Sequence, residues 1–272
     1  PEVIARLAAS DEVRYLYPAG ATVPAPDGAG VREVIAQNPD RGFSLEGKEV
    51  AWNLTALGAE RAWRELGVFG EGVTVATIDT GVNYTHQDLV DNVWVNPGEV
   101  PNNGADDDGN GYVDDVYGYN FREMNARVGD FNPSSQHGTW TSGIAVGDGS
   151  GGTLTGVAPR ARLMVLLAGG SHTSYPLAYQ YAIEHGADVL TMSFSIPGLG
   201  QLRGLWRLMA EHAAAAGLVQ VSGAGNFRQS ARHPVQLRTP EDVPAVLAVG
   251  GVDRDFNLAP FSSTGPVEWA SV

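Results

Sequence analysis

Asp79 ends the apolar run V-A-T-I and is followed by Thr80 and Gly81; His137 opens a later stretch of small residues, H-G-T-W-T-S-G. A carboxylate placed after a strand can share a proton with a second carboxylate, or it can orient an imidazole and stabilise its cation. A histidine at the amino end of a closely packed helix needs a partner for one ring N–H, and a strand-end carboxylate can supply it. A third group of chemistry-bearing residues is the run A-D-D-D-G-N-G-Y-V-D-D. It sets the side-chain oxygens of Asp106, Asp108 and Asn110 two residues apart, with Gly111 to let the chain turn. That spacing converges oxygens on one hard cation, as in an EF-hand loop, where the seventh position offers a backbone carbonyl, here that of Tyr112. Asp114 or Asp115 could close the shell, although the twelfth position is Tyr117 rather than Glu. Five carboxylates this close repel one another without a cation, and Ca²⁺ is the expected ion.

These residues require elements to hold them. The runs V-T-V-A-T-I, R-L-M-V-L-L, A-D-V-L-T-M-S-F, G-L-V-Q-V-S and A-V-L-A-V-G read as short buried strands. Helical stretches separate most of them, at residues 175–186 and 202–217, and L-G-A-E-R-A-W-R-E-L-G reads as one further helix stopped by Gly67. Strands alternating with helices predict an α/β fold of three layers, a mostly parallel sheet covered on both faces. Asp79 then falls at the carboxyl edge of that sheet, where open α/β sheets place their sites. The Asn-, Asp- and Gly-rich segment 94–132 reads as a long excursion after the first strand. Gly147–Gly152 satisfies G-x-G-x-x-G but follows a helix rather than a strand, so it reads as a loop and not a dinucleotide site.

Composition narrows the partners. With 17 basic against 31 acidic residues the formal charge is −14, which argues against nucleic acid or an anionic membrane. The absence of cysteine excludes disulfides, thiolate metal sites and a cysteine nucleophile. No apolar run approaches the roughly 18 residues of a membrane span.

Several motifs in order resemble the subtilisin-like serine proteases. They are V-A-T-I-D-T-G around Asp79, H-G-T at His137, G-V-A-P at Gly156–Pro159, V-L-T-M-S-F at Val189–Phe194, S-G-A-G-N ending at Asn226, and A-V-L-A-V-G-G-V followed by F-S-S-T-G-P. The resemblance covers roughly residues 50–272. It implies that Asp79 orients the imidazole, His137 acts as general base and then general acid, and Asn226 donates its amide to the oxyanion. Ser193, Phe194 and Ser195 would lie in the segment that binds the substrate backbone. Trp140 stands where the family has a smaller ring, which bears on the packing beneath the histidine helix. The family's G-T-S-x-A-x-P element is absent, and the expectation is a subtilisin-like sheet incomplete at the carboxyl end, its nucleophile beyond Val272.

Residues 1–18, with S-D-E-V-R-Y-L-Y-P, resemble the tail of the family's inhibitory propeptide, which would be an intramolecular inhibitor. Residues 19–50 read as a Pro- and Gly-rich linker and processing region, and 51–272 as the peptidase domain with a calcium-binding insertion at about 94–132. The implied protein is a secreted, calcium-binding serine endopeptidase acting on protein or peptide substrates. Two alternatives are a catalytically inactive module of the same fold and an aspartic protease using Asp79. The α/β alternation speaks against the second, because aspartic proteases are all-β.

Overall fold

The computed structural model describes residues 43–132, 136–200, 202–233 and 236–267. The expected propeptide tail and most of the linker lie outside the described residues. The linker's last residues form β1 (Glu49–Val50), which pairs in parallel with β4 (Thr153–Leu154). Phe43, Leu45 and Val50 pack there against Leu54 and Trp63.

The expected single helix near residues 57–67 is two, α1 (Trp52–Leu57) and α2 (Ala59–Leu66). Gly58 sits between them at φ 78°, a left-handed conformation that ends one helix and turns the chain into the next.

The main sheet has six strands, all parallel: β2 (Thr74–Ile78), β3 (Gly118–Asn120), β5 (Arg162–Leu167), β6 (Val189–Met192), β7 (Val219–Gly223) and β8 (Leu247–Val249). Their spatial order is β3-β5-β2-β6-β7-β8. The helices are α3 (His137–Val146), α4 (Ser174–Glu184) and α5 (Leu202–Ala215). Because side chains alternate across a strand, Met164 and Leu166 of β5 pack with Ala76 and Ile78 of β2 in one core, together with α4 and α5 residues such as Tyr179, Tyr181 and Trp206. Leu163 and Val165 face the other way and join Val75, Val82 and Val146 in a second core. A sheet buried on both faces explains why its strands read as continuous apolar runs rather than as an alternation.

Three features depart from the sequence reading or add to it. The excursion contains β3, an edge strand that pairs Gly118 with Val165. Trp140 is 62% exposed, so its ring projects to solvent and does not pack beneath α3. At the far edge, β8 leaves Leu247 and Val249 exposed.

Candidate active site

Asp79 follows the last residue of β2, and its amide continues the ladder by donating to the Leu166 carbonyl at 3.2 Å. Its carboxylate is 4% exposed and faces His137, the first residue of α3. His137 Nδ1 lies 2.8 Å from Oδ1 and 2.9 Å from Oδ2. The amide of Thr80 donates to Oδ1 at 2.7 Å, and the Thr141 hydroxyl, with one proton to give, lies 3.2 Å from Oδ2 and 3.1 Å from the Gly138 carbonyl oxygen. Nδ1 sits within hydrogen-bond distance of both oxygens, and with Nδ1–H donating to the carboxyl group Nε2 is the ring's acceptor nitrogen. Among the described residues nothing is hydrogen-bonded to Nε2.

The close approach of α3 to the loop after β2 depends on Gly138. A Cβ there would stand 2.2 Å from the carbonyl oxygen of Gly81 and 3.2 Å from Asp79 Cβ. The Thr139 hydroxyl accepts the Asn83 amide at 2.8 Å and ties the same helix start to that loop.

The pair opens on a cleft of about 770 Å³. Ser193 and Phe194, which follow β6, line it with Tyr175 of α4 and with Arg122 and Arg127 of the turn after β3. Asn226 lies outside the walls of that cleft, exposed, three residues past β7 on the same carboxyl edge of the sheet. Ser142 is fully buried, and the Ser222 hydroxyl bonds the Gly223 carbonyl, so neither addresses His137.

Ser195 does not line the cleft: its hydroxyl donates to Glu241 Oε1 at 2.6 Å. Glu241 is 2% exposed; Oε1 also accepts the Arg238 amide at 3.0 Å, and Oε2 has no partner among the described residues. Burial pushes this carboxyl up to about 7. The folded state therefore holds a proton that the unfolded chain releases near 4.5, and the stability this confers, full below 4.5, is lost as pH rises through about 7. Glu241→Gln is expected to remove about 3 kcal/mol of pH dependence across that interval. Urea unfolding of both proteins at pH 4.5 and pH 8 checks this, and parallel pH trends would refute it.

In the acidic loop, Glu99, Asp106 and Asp108 each offer an oxygen, all within 4.8 Å of one another. Glu99 is 7% exposed, its Oε1 accepts the amides of Asp107 and Asp108, and its Oε2 is buried with no partner among the described residues. Of the expected ligands, Asp106 and Asp108 belong to this group and Asp114 and Asp115 do not. Asp114 turns to the amides of Asn103 and Gly104. Asp115 is fully buried and accepts from Asn96, Asn110 and the Tyr181 hydroxyl, the last at 2.6 Å. Asn110 Oδ1 accepts the Tyr112 amide, and the Tyr112 ring is buried against Tyr119 and Phe121.

A strand-end carboxyl group within hydrogen-bond distance of a helix-start imidazole thus stands at the carboxyl edge of the all-parallel sheet of an α/β protein. The subtilase family model matches residues 70–271, and the chain belongs to that family. It is 30% identical over 192 residues to the subtilisin-like protease 1 of Plasmodium vivax, covering 68% of this chain and 30% of that protein. It is 27% identical over 226 residues to the major intracellular serine protease of Bacillus subtilis, covering 80% and 63%. The chain thus spans less than two thirds of the length of either relative. Among solved structures, MycP1 with its N-terminal propeptide removed superposes with a TM-score of 0.52 at 23% identity, over 79% of this chain and 67% of that one. A mutant of the epidermin leader peptide processing serine protease of Staphylococcus aureus gives 0.54 at 22%, over 80% and 55%. Both share the fold. No helix among the described residues is long and apolar enough to cross a membrane.

Proposed function

We propose that the protein is a serine endopeptidase in which Asp79 and His137 activate a serine hydroxyl contributed from outside the described residues. His137 Nε2 takes the hydroxyl proton as the oxygen attacks the peptide carbonyl, then returns it to the leaving amine as the C–N bond breaks; water repeats the cycle on the ester. Ser193 and Phe194 would hold the substrate backbone, with Ser195 held behind them by Glu241. Asn226 would give its amide to the oxyanion, a role its place on the shared strand-end edge supports. The observation that carries the reading is a nearly buried Asp79 carboxyl group held against Nδ1 of a half-exposed His137 that lines the open cleft. Treating the full-length protein with a fluorophosphonate is expected to label one serine, with labelling lost in His137→Ala. Unlabelled protein would instead indicate an inactive module of the same fold.

The same reading includes a structural Ca²⁺ held by Glu99, Asp106 and Asp108, whose hard oxygens suit it. The orphaned Glu99 oxygen supports the fit, since a buried carboxyl oxygen with no donor is satisfied by a proton or by a cation, and here the oxygens of Asp106 and Asp108 stand beside it. A secreted setting belongs to this reading. Calcium a hundredfold above its dissociation constant is expected to add about 2.7 kcal/mol, which raises the melting temperature by about 5–10 °C. Chelator should remove that gain, and Glu99→Gln with Asp108→Asn should abolish it; a melting temperature indifferent to calcium refutes the site.

A further inference from the structure

We propose that Arg122 and Arg127 select an acidic side chain in the peptide bound at the cleft, an assignment that rests on the proteolytic reading of the Asp79–His137 pair. The sheet order places β5 and β2 between β3 and β6. The turn after β3 and the segment after β6 therefore stand on opposite sides of the strand ends, where Asp79 lies, and both line the same cavity. The turn is held rigidly. Buried Asn120 accepts the amides of Arg122 and Glu123 and donates to the Arg127 carbonyl, and its backbone bridges to Asn125. The stem of Arg122 lies over Gly170 in the loop after β5, where a Cβ would come within 3.6 Å of its Cγ.

Some arginines elsewhere are paired, as in Arg64 with Glu60, Arg160 with Glu71 and Arg203 with Asp242; Arg238 and Arg254 lie over aromatic rings, and Arg228 and Arg232, which do not line the cleft, make no ion pair among the described residues. The guanidinium groups of Arg122 and Arg127 make no ion pair or hydrogen bond among the described residues, although acidic side chains outnumber basic ones almost two to one. Besides Asp79, which is held by His137, two acids share the cleft, and each is engaged within its own loop. Asp130 Oδ1 accepts the Asn132 amide at 3.1 Å, and Glu123 Oε2 receives Asn125 Nδ2 at 3.5 Å. Two unpaired planar forks on one wall match a carboxylate from outside. Tyr175 and Phe194, with ring centroids 5.3 Å apart, offer a neighbouring apolar seat, so the selected acid lies close to an apolar residue in the peptide.

The test is binding of fluorescein-labelled, end-capped octapeptides to the 272-residue chain, measured by anisotropy. Each peptide carries one Phe in an Ala/Gly background, with Asp, Asn or Lys at each position within two residues of it. In at least one register Asp is expected to bind about fivefold more tightly than Asn, and Lys more weakly than either. The Asp preference should vanish at 1 M salt, where the screening length is about 3 Å. Arg122→Gln with Arg127→Gln should bring the ratio to about one, and Arg122→Glu with Arg127→Glu should reverse it; both positions are exposed, so the fold is not at stake. Equal binding of Asp, Asn and Lys in every register, or a preference that survives the double Gln variant, overturns the assignment and leaves the proteolytic reading standing. Failure of every peptide to bind overturns both.

Discussion

In the full-length protein Asp79→Asn is expected to lower kcat for peptide hydrolysis about 10⁴-fold, with KM and melting temperature little changed. The reason lies in the donors around the side chain. Nδ1 of His137 approaches both oxygens, and Thr80 N–H points at one of them. An asparagine amide must put its NH₂ against one of these donors. It relieves the clash by donating that NH₂ to Nδ1, which must then be unprotonated, so the ring proton moves to Nε2 and the base is lost from the face that needs it. Shape is conserved and the tautomer is not, so binding survives while turnover fails. Steady-state kinetics of the purified variant decide the matter, and a loss in kcat under tenfold would show that Asp79 does not set the state of His137.

Gly138→Ala is expected to cost about 3 kcal/mol of stability and about a hundredfold in kcat. The added methyl would sit 2.2 Å from the Gly81 carbonyl oxygen, so α3 must lift off the loop after β2. Gly81 itself has φ 110°, and a Cβ there would stand 3.0 Å from the Val128 carbonyl oxygen and 3.3 Å from the Asp130 nitrogen, so the loop has little room to yield. Lifting α3 draws His137 away from Asp79. Gly143→Ala on the same helix is the control, since a Cβ there meets nothing within 4 Å, and helix propensity alone predicts a gain of about 0.5–1 kcal/mol. Chemical unfolding and kinetics of the two variants separate a local clash from a general intolerance of α3. Equal stability of both would refute it.

Several elements could be read directly from the chain because their information is local. The run R-L-M-V-L-L is β5 residue for residue, since a strand buried on both faces needs only a short apolar stretch. Asp79 and His137 were legible for a similar reason: each is marked by the small residues that crowd its own turn. What could not be read depends on distant partners. G-Y-N carries no strand signature and is β3 only because β5 lies beside it. Glu99 stands outside the alternate spacing of the aspartates, and only the fold of the excursion brings it to Asp106 and Asp108. Adjacent Asp114 and Asp115 have opposite fates because Asp114 adopts φ 54°, one carboxylate turning to solvent-side amides and the other going inside to Tyr181. T-P-E-D looks like an exposed turn, yet Glu241 is buried by the segment after β6, some forty residues earlier in the chain.

The strand order has a consequence for how the protein is made. No two strands of the six-stranded sheet form a hairpin: Thr74 pairs with Arg162, and Val75 with Val189. Each central pairing must close a long loop before any contact rewards it, and such topologies fold slowly because the entropy is lost first. In the folded chain Asp79 meets His137 where α3 docks against β2 and β5. A chain still emerging or still collapsing therefore contains both residues and none of their joint chemistry.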